Sequence, residues 1–120
     1  MHEHSASFSG AADSELTQAI LRLRWWAVWF LNELGDSAAQ AILVGEPLLA
    51  DQERILGPDH HDTMASRNSL ALAHHGSGRA AEAIPLHERT LADRERILGP
   101  GHPDTVQSRN NLAAARASQG

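Results

Sequence analysis

The chain repeats itself with a period of 42 residues, and this repeat limits its fold more than any other feature. Residues 50–73 and 92–115 are identical at 17 of 24 positions, including a Leu-Gly-Pro-x-His motif that begins at Leu56 and again at Leu98. A weaker similarity continues upstream in the same register, where residues 38–49 match residues 80–91. A duplication of this length predicts similar units that stack on one another and bury a shared core.

Each unit has the pattern of two helices. Within residues 79–98 the apolar side chains recur at three- and four-residue spacing, which marks one face of a helix. Gly99 and Pro100 predict its end, because glycine adopts the left-handed conformation of a helix cap and proline cannot continue a helix. The sequence therefore predicts five helices, at about residues 14–34, 37–56, 62–75, 79–98 and 103–118, after a flexible tail at residues 1–13.

These motifs resemble the tetratricopeptide repeat, in the 42-residue form found in kinesin light chains and many bacterial proteins. The resemblance rests on Asn-Ser-Leu-Ala at 68–71, Asn-Asn-Leu-Ala at 110–113, Gly-Arg-Ala-Ala-Glu-Ala at 78–83 and the two Leu-Gly-Pro-x-His motifs. It implies an all-α solenoid of antiparallel helix pairs, with repeats at about 14–57 and 58–99 and an incomplete repeat at 100–120. It also implies an inner groove, lined by the first helix of each repeat, that binds a peptide or helix of a partner protein.

The first repeat departs from the family pattern at two positions. Trp29 stands where Ala71 and Ala113 stand in the later repeats, at a point where small residues let two helices cross closely. We therefore expect the first helix pair to be splayed or repurposed. Pro47 lies inside the second predicted helix and cannot donate a hydrogen bond to the carbonyl of Leu43, which predicts a kink or break there.

The last predicted helix has no second helix after it. Gly120 aligns with Gly78, just before the point where a second helix begins in the preceding repeat. Two explanations remain open at this stage. Either the chain is a fragment of a longer array, or another chain supplies the surface that covers this helix.

The aromatic residues of the first predicted helix point to association. Together with Val28 and Leu31 they surround most of the helix, whereas a helix on the surface of a bundle needs one apolar stripe. A deeply buried capping helix is one interpretation, and a protein-contact surface is the other. We expect self-association, with a dimer as the leading case, either between two such helices or over the open face of a neighbour's last helix. The residues expected to carry it are Trp25, Trp26, Trp29 and Phe30.

The resemblance implies that asparagines of the inner helices hydrogen-bond the backbone of a bound peptide, since an amide offers both a donor and an acceptor. Repeat identity combined with solvent exposure explains the same residues equally well. The groove residues expected from the register are Asn68, Leu72, His75, Gln107, Asn110 and Asn111. They lack the Lys and Arg cluster that would bind a peptide's carboxylate.

Arg67 and Arg109 are expected to be snorkelling structural residues, with pairing to a nearby carboxylate as the alternative.

Composition excludes several function classes. Ten arginines and no lysine stand against fifteen Asp and Glu, and this net charge of −5 suits neither nucleic acid nor an anionic membrane surface. The apolar run at 25–31 is far shorter than the roughly 20 residues that span a bilayer.

No catalytic or metal site can be found in the sequence. There is no cysteine, and no two of the eight histidines have the spacing of a metal-binding pair on one helix face. A nucleophile with its base and a phosphate-binding loop are also absent from the sequence. We therefore expect a cytoplasmic, bacterial, non-catalytic scaffold without cofactor or metal. The alternative is a sensor or adaptor segment of a larger regulatory protein, with a peptide-binding groove.

Overall fold

The computed structural model of the protein describes residues 2–34 and 38–119, with side chains over 13–33 and 38–119. Its five helices are α1 (His2–Leu34), α2 (Ala38–Ile55), α3 (His61–Gly76), α4 (Ala80–Leu98) and α5 (Pro103–Gln119). No strand occurs in this part of the chain. Consecutive helices pack against each other, and α1 and α5 each also contact α3. The predicted all-α helical repeat is confirmed.

The first helix differs most from its prediction. The other four begin and end within one residue of the predicted bounds, whereas α1 begins at His2 rather than at residue 14. Extending an existing helix requires no new nucleus, and residues 2–13 contain no proline to stop it. The segment predicted as a flexible tail is therefore helical in the structure, and its flexibility in solution stays a prediction.

The Leu-Gly-Pro-x-His motifs form the turns between repeats. Gly57 and Gly99 have φ angles of 93° and 92°, which glycine adopts without strain. In the first turn, Nδ1 of His60 accepts a hydrogen bond from the backbone N–H of Asp62 at 3.0 Å. His102 makes the same contact in the second turn at 3.1 Å. Each imidazole thus satisfies a donor at the start of a helix that the helix itself leaves without a partner.

The largest apolar cluster lies where α1, α2 and α3 meet. α1 and α2 approach closely at Gly45, where an added Cβ would lie 3.3 Å from Leu70 Cδ1 and 3.7 Å from Val28 Cγ1. Trp29 lies partly exposed outside this crossing, whereas Ala71, its counterpart in the second repeat, is fully buried. The small residue at this contact is therefore Gly45, which faces Leu70 of α3 and Val28 of α1, and not residue 29. The buried residues of the cluster are Leu21, Val28, Ala41, Ile42, Leu48, Leu49, Leu70 and Ala73.

The predicted break at Pro47 is wrong, because α2 runs without interruption from Ala38 to Ile55. Pro47 is exposed, and so is Leu43, whose carbonyl lacks the donor that proline cannot provide. That carbonyl lies on the side of α2 that is open to water, which can donate to it instead. A kink at this position stays a prediction.

Candidate functional site

An open groove of about 350 Å³ lies across α1, α3 and α5, the first helices of the three repeats. Trp25 and Trp29 of α1 and Leu72 of α3 form its apolar part, and Asn68 and Gln107 contribute amides. The structure therefore brings together three of the predicted groove residues, one of them from a different helix. It also places two of the indoles that were predicted for self-association beside them.

The other predicted groove residues lie outside the lining of this cavity. Asn111 donates from Nδ2 to Oδ1 of Asn68 at 3.1 Å, so these two amides link α3 to α5. Further along the same helices, Nε2 of His75 and Oγ of Ser118 lie 2.8 Å apart. Asn110 is exposed on α5. Asn68 can still donate from Nδ2 to a ligand, although one lone pair of its oxygen is used by the link between helices.

The charges at the groove are mostly negative. Glu33 and Asp104 contribute carboxylates, and Arg94 is the arginine of the described lining. Arg94 is buried and donates from Nη1 to the backbone oxygen of Asp104 at 3.1 Å and to Oγ of Ser108 at 2.8 Å. Burial lowers the pKa of its guanidinium, while the Asp104 carboxylate acts in the opposite direction. An arginine stays charged at neutral pH, so Arg94 is a structural cation under the groove.

The four aromatic residues predicted for association divide between two surfaces. Trp25 and Trp29 line the groove, whereas Trp26 and Phe30 are 55% and 60% exposed and are not part of its described lining. The three indoles contact each other edge to face, with ring centres 5.0 Å apart for Trp25 and Trp26 and 5.4 Å apart for Trp26 and Trp29. This row of rings connects the groove to the outer face of α1.

The outer face of α1 is apolar over its described length. Leu21 and Val28 are buried on the side that packs in the core. The opposite side carries apolar residues at alternating spacings of four and three, which is the pattern of a helix that packs lengthwise on another helix. We define this set as the α1 stripe, and its residues are Leu16, Ile20, Leu23, Ala27 and Phe30.

Attention to the aromatic residues alone missed most of the α1 stripe. Leu16, Ile20 and Leu23 are among the most exposed large apolar side chains of the described residues. Their spacing relative to Phe30 would have identified them in the sequence, because it continues a single heptad pattern. The stripe could be recognised as exposed only once Leu21 and Val28 were known to face the core.

Arg67 is buried, so the predicted snorkelling role is wrong for this residue. It is 1% exposed and donates from Nη1 to Oδ2 of Asp93 at 3.1 Å and from Nη2 to the carbonyl of Pro58 at 3.4 Å. Arg109 has the same place in the next repeat but is exposed, with Nη2 bonded to the carbonyl of Pro100 at 3.3 Å. The difference arises because α4 covers this side of α3.

Two kinds of feature are absent from the described residues, a metal site and a membrane-spanning helix. No group of three or more His, Cys, Asp or Glu side chains there has the arrangement of a metal site. None of the described helices combines the length and the apolarity needed to cross a bilayer. The candidate sites on the described part of the chain are therefore two surfaces, the groove and the α1 stripe.

The family comparison agrees with this architecture. Residues 63–104 match the family model of the tetratricopeptide repeat. The match begins in the first turn of α3, includes α4 and ends at the start of α5, so it covers one period of the duplication and includes Asn68 and Leu72. No curated protein matches the chain. The matched repeat and the helix-pair architecture confirm the resemblance, and residues 63–104 of this chain form a tetratricopeptide repeat.

Proposed function

We propose that this protein is a non-catalytic interaction scaffold that self-associates through the α1 stripe. Tetratricopeptide repeats are typically modules that bind proteins or peptides, and the matched repeat supports that class of function. The observation that carries the specific proposal is the row of exposed apolar side chains on α1, on a side of the helix that faces away from the core. Contiguous apolar patches of this kind mark sites of protein contact.

The size of the surface supports a stable dimer. Five large apolar side chains form this surface, namely Trp26 and the residues of the α1 stripe other than Ala27, and they are between 47% and 69% exposed. At about 200 Å² for each side chain, they present on the order of 600 Å² per chain. A standard protein interface buries about 800 Å² per partner, so this surface and the residues at its edge reach the size required.

A second copy fits the stripe because the stripe is complementary to itself. Two antiparallel α1 helices related by a two-fold axis near residue 25 would place Phe30 of one protomer opposite Ile20 of its partner. The same axis would place Leu23 opposite Ala27, so that each larger side chain meets a smaller one. In this register neither Arg22 nor Glu33 meets a like charge across the seam.

The open face of α5 offers the second arrangement considered, in which α1 of one chain covers α5 of the next. Such a contact joins two different surfaces and leads to rings or to filaments that do not close. The two-fold pairing of α1 produces a closed dimer and uses the larger apolar surface. We therefore take the pairing of α1 as the leading arrangement.

Light scattering behind size exclusion, over a range of concentrations, tests the proposal. We expect a mass twice the 13.0 kDa of one chain. Combined Trp26→Ala and Phe30→Ala substitutions should shift the mass toward the monomer. The control Leu43→Ala, which removes an exposed apolar side chain from α2, should leave it unchanged.

Two outcomes would contradict this arrangement. A monomeric wild-type protein at every concentration would refute self-association. Val106→Glu changes the open face of α5. If this variant loses the dimer while the Trp26→Ala and Phe30→Ala double variant keeps it, the α1–α5 contact would be favoured over the α1 pairing. Val106 is partly exposed, so this substitution does not place a charge in the core.

The groove supports a second function, the binding of a partner peptide by a sensor or adaptor segment. The observation in its favour is the mixture of apolar walls, Trp25, Trp29 and Leu72, with a few amides, which is typical of binding sites. Gln107→Ala should weaken the binding of such a peptide, measured by indole fluorescence. Asn110→Ala, on the same helix but outside the cavity, is the matched control; equal losses in both variants would count against the groove.

The remaining parts of the proposal concern what the scaffold does not bind. The net charge of −5 supports weak affinity for nucleic acid and anionic membranes, because such binding depends on cationic contacts. A cytoplasmic location and the absence of a cofactor complete the proposal. Filter binding to DNA and RNA at low salt would test the first part, and tight binding there would overturn it.

A further inference from the structure

A smaller cavity of about 220 Å³ opens beside the groove, between α1, α2 and the start of α3. It shares Trp25, His61 and Ala65 with the lining of the groove, so a ligand in one can extend into the other. Gln52 forms the buried wall of this cavity and is 0% exposed. Neither Oε1 nor Nε2 of Gln52 has a hydrogen-bond partner within the described residues. A buried acceptor of this kind favours a ligand that donates to it, because an unmade bond there costs about 1–3 kcal/mol.

Three carboxylates that lie outside the ion pairs of the described residues are found at these two cavities. Asp13 and Glu15, near the start of the described side chains of α1, have no ion pair among the described residues. Between residues 16 and 119, nearly every described carboxylate lies within 4.0 Å of an arginine or histidine nitrogen. The exceptions are Glu33, Asp62 and Asp104. Glu33 and Asp104 line the groove, and Asp62 lines the smaller cavity. Carboxylates without a partner beside indole rings favour a cationic ligand, which gains from both.

The second repeat shows which cation suits this position. Gln52 aligns with Arg94, and Arg94 donates to the backbone oxygen of Asp104 and to Oγ of Ser108. The corresponding residues at the first junction are Asp62 and Ser66, and Oγ of buried Ser66 has no partner among the described residues. The shorter Gln52 leaves the first junction without the guanidinium that completes the second.

We propose that the cavity beside Gln52 and Asp62 binds the guanidinium of an arginine side chain on a partner peptide that lies in the groove. The guanidinium has five donors and no acceptor, which matches Gln52 Oε1 and the Asp62 carboxylate in the cavity lining. Ser66 stands at the position equivalent to Ser108, which accepts from Arg94 in the second repeat. Trp25 and Trp26 supply ring surfaces on which its plane can stack. Because the cavity is continuous with the groove, the guanidinium is assigned to a peptide that lies in the groove and not to free arginine.

One cation already stands at the edge of the cavity. Arg22 is part of its lining and is exposed to solvent, where water screens its charge. The charge of Arg22 opposes the binding of a second guanidinium. Arg22→Ala is therefore expected to strengthen binding of the cationic peptide, whereas a general loss of structure would weaken it.

A pair of peptides tests the proposal directly. The first is an acetylated and amidated pentapeptide, Ala-Leu-Arg-Leu-Ala, and the second replaces arginine by citrulline, which has nearly the same shape without the charge. Heteronuclear NMR of the indole N–H groups follows binding at Trp25. We expect the arginine peptide to bind about tenfold more tightly, which corresponds to about 1.4 kcal/mol. Equal affinity of the two peptides would overturn guanidinium recognition while leaving the groove function intact, and binding of neither would overturn both.

Two protein variants separate the site from the fold. Gln52→Arg places at the first junction the residue that Arg94 provides at the second, so the variant should fold and lose the preference for arginine. Asp62→Asn should weaken binding of the arginine peptide severalfold, whereas Glu88→Gln, an exposed carboxylate outside both cavities, should not. Unchanged binding in folded Gln52→Arg would refute the site. Equal affinity of the protein for N-acetylarginine amide and for the pentapeptide would overturn its assignment to a peptide.

Discussion

His87 should make the fold sensitive to acid. This α4 residue is fully buried, and neither of its ring nitrogens has a hydrogen-bond partner among the described residues. Burial, assisted by the positive charges of His75 and Arg94, lowers the pKa of His87 from 6.5 to about 4. The folded protein therefore holds a neutral imidazole at pH values where the unfolded chain is protonated.

The direction of the pH effect follows from the protons bound by each state. Between about pH 6.5 and pH 4 the unfolded chain binds more protons at His87 than the folded protein does, so the free energy of unfolding falls as the pH is lowered. Above this range the imidazole is neutral in both states and has no effect. At about 1.4 kcal/mol for each pKa unit, the loss approaches roughly 3 kcal/mol at the acid end.

Urea denaturation followed by circular dichroism measures this loss. His87→Leu keeps an apolar side chain at the buried position and removes the titrating group, so its free energy of unfolding should fall less between neutral and acid pH than that of the wild type. The difference between the two curves should be roughly 3 kcal/mol at its largest. His61→Leu removes an exposed imidazole and serves as the control. Parallel curves for the wild type and His87→Leu would refute the reasoning.

Two further predictions concern packing between repeats, and both are measured by chemical denaturation. Arg67→Met should destabilise the protein by about 2–4 kcal/mol, because it removes a buried partner of Asp93. Arg109→Met, at the exposed equivalent position, should have little effect on the free energy of unfolding. Similar losses of stability in both variants would contradict this reasoning. Gly45→Val should destabilise by about 1–3 kcal/mol, because even a Cβ would stand 3.3 Å from Leu70 Cδ1; a stability equal to that of the wild type would show that the Leu70 side chain can move aside.

The positions of the last four helices were predictable because their signals are local. Gly57 and Gly99 are followed by proline, and this combination ends a helix in any tertiary setting. The duplication then provided the same information twice, so an ambiguous position in one repeat could be read from the other. α1 has no such duplicate, and its start was placed twelve residues too late.

The division of the aromatic residues could not be predicted, because it depends on tertiary packing. Large side chains surround α1, and the sequence alone does not show which side meets α2 and α3. Once Leu21 and Val28 face the core, Trp25 is directed toward the groove and Phe30 toward solvent. The groove was likewise predictable as a set of register positions, but not the link between Asn68 and Asn111 that joins two of its helices.

Equivalent residues of the two repeats show how the neighbouring helix decides the role of a side chain. Met64, Arg67 and Ala71 of α3 are buried because α4 packs over them. Their counterparts Val106, Arg109 and Ala113 on α5 are partly or largely exposed, since no described helix covers that side. An arginine can be retained at this position in both repeats because it is paired with a carboxylate in each, Arg67 with Asp93 when it is covered and Arg109 with Glu95 when it is also hydrated. The repeat therefore specifies the helix, whereas burial and function are specified by what packs against it.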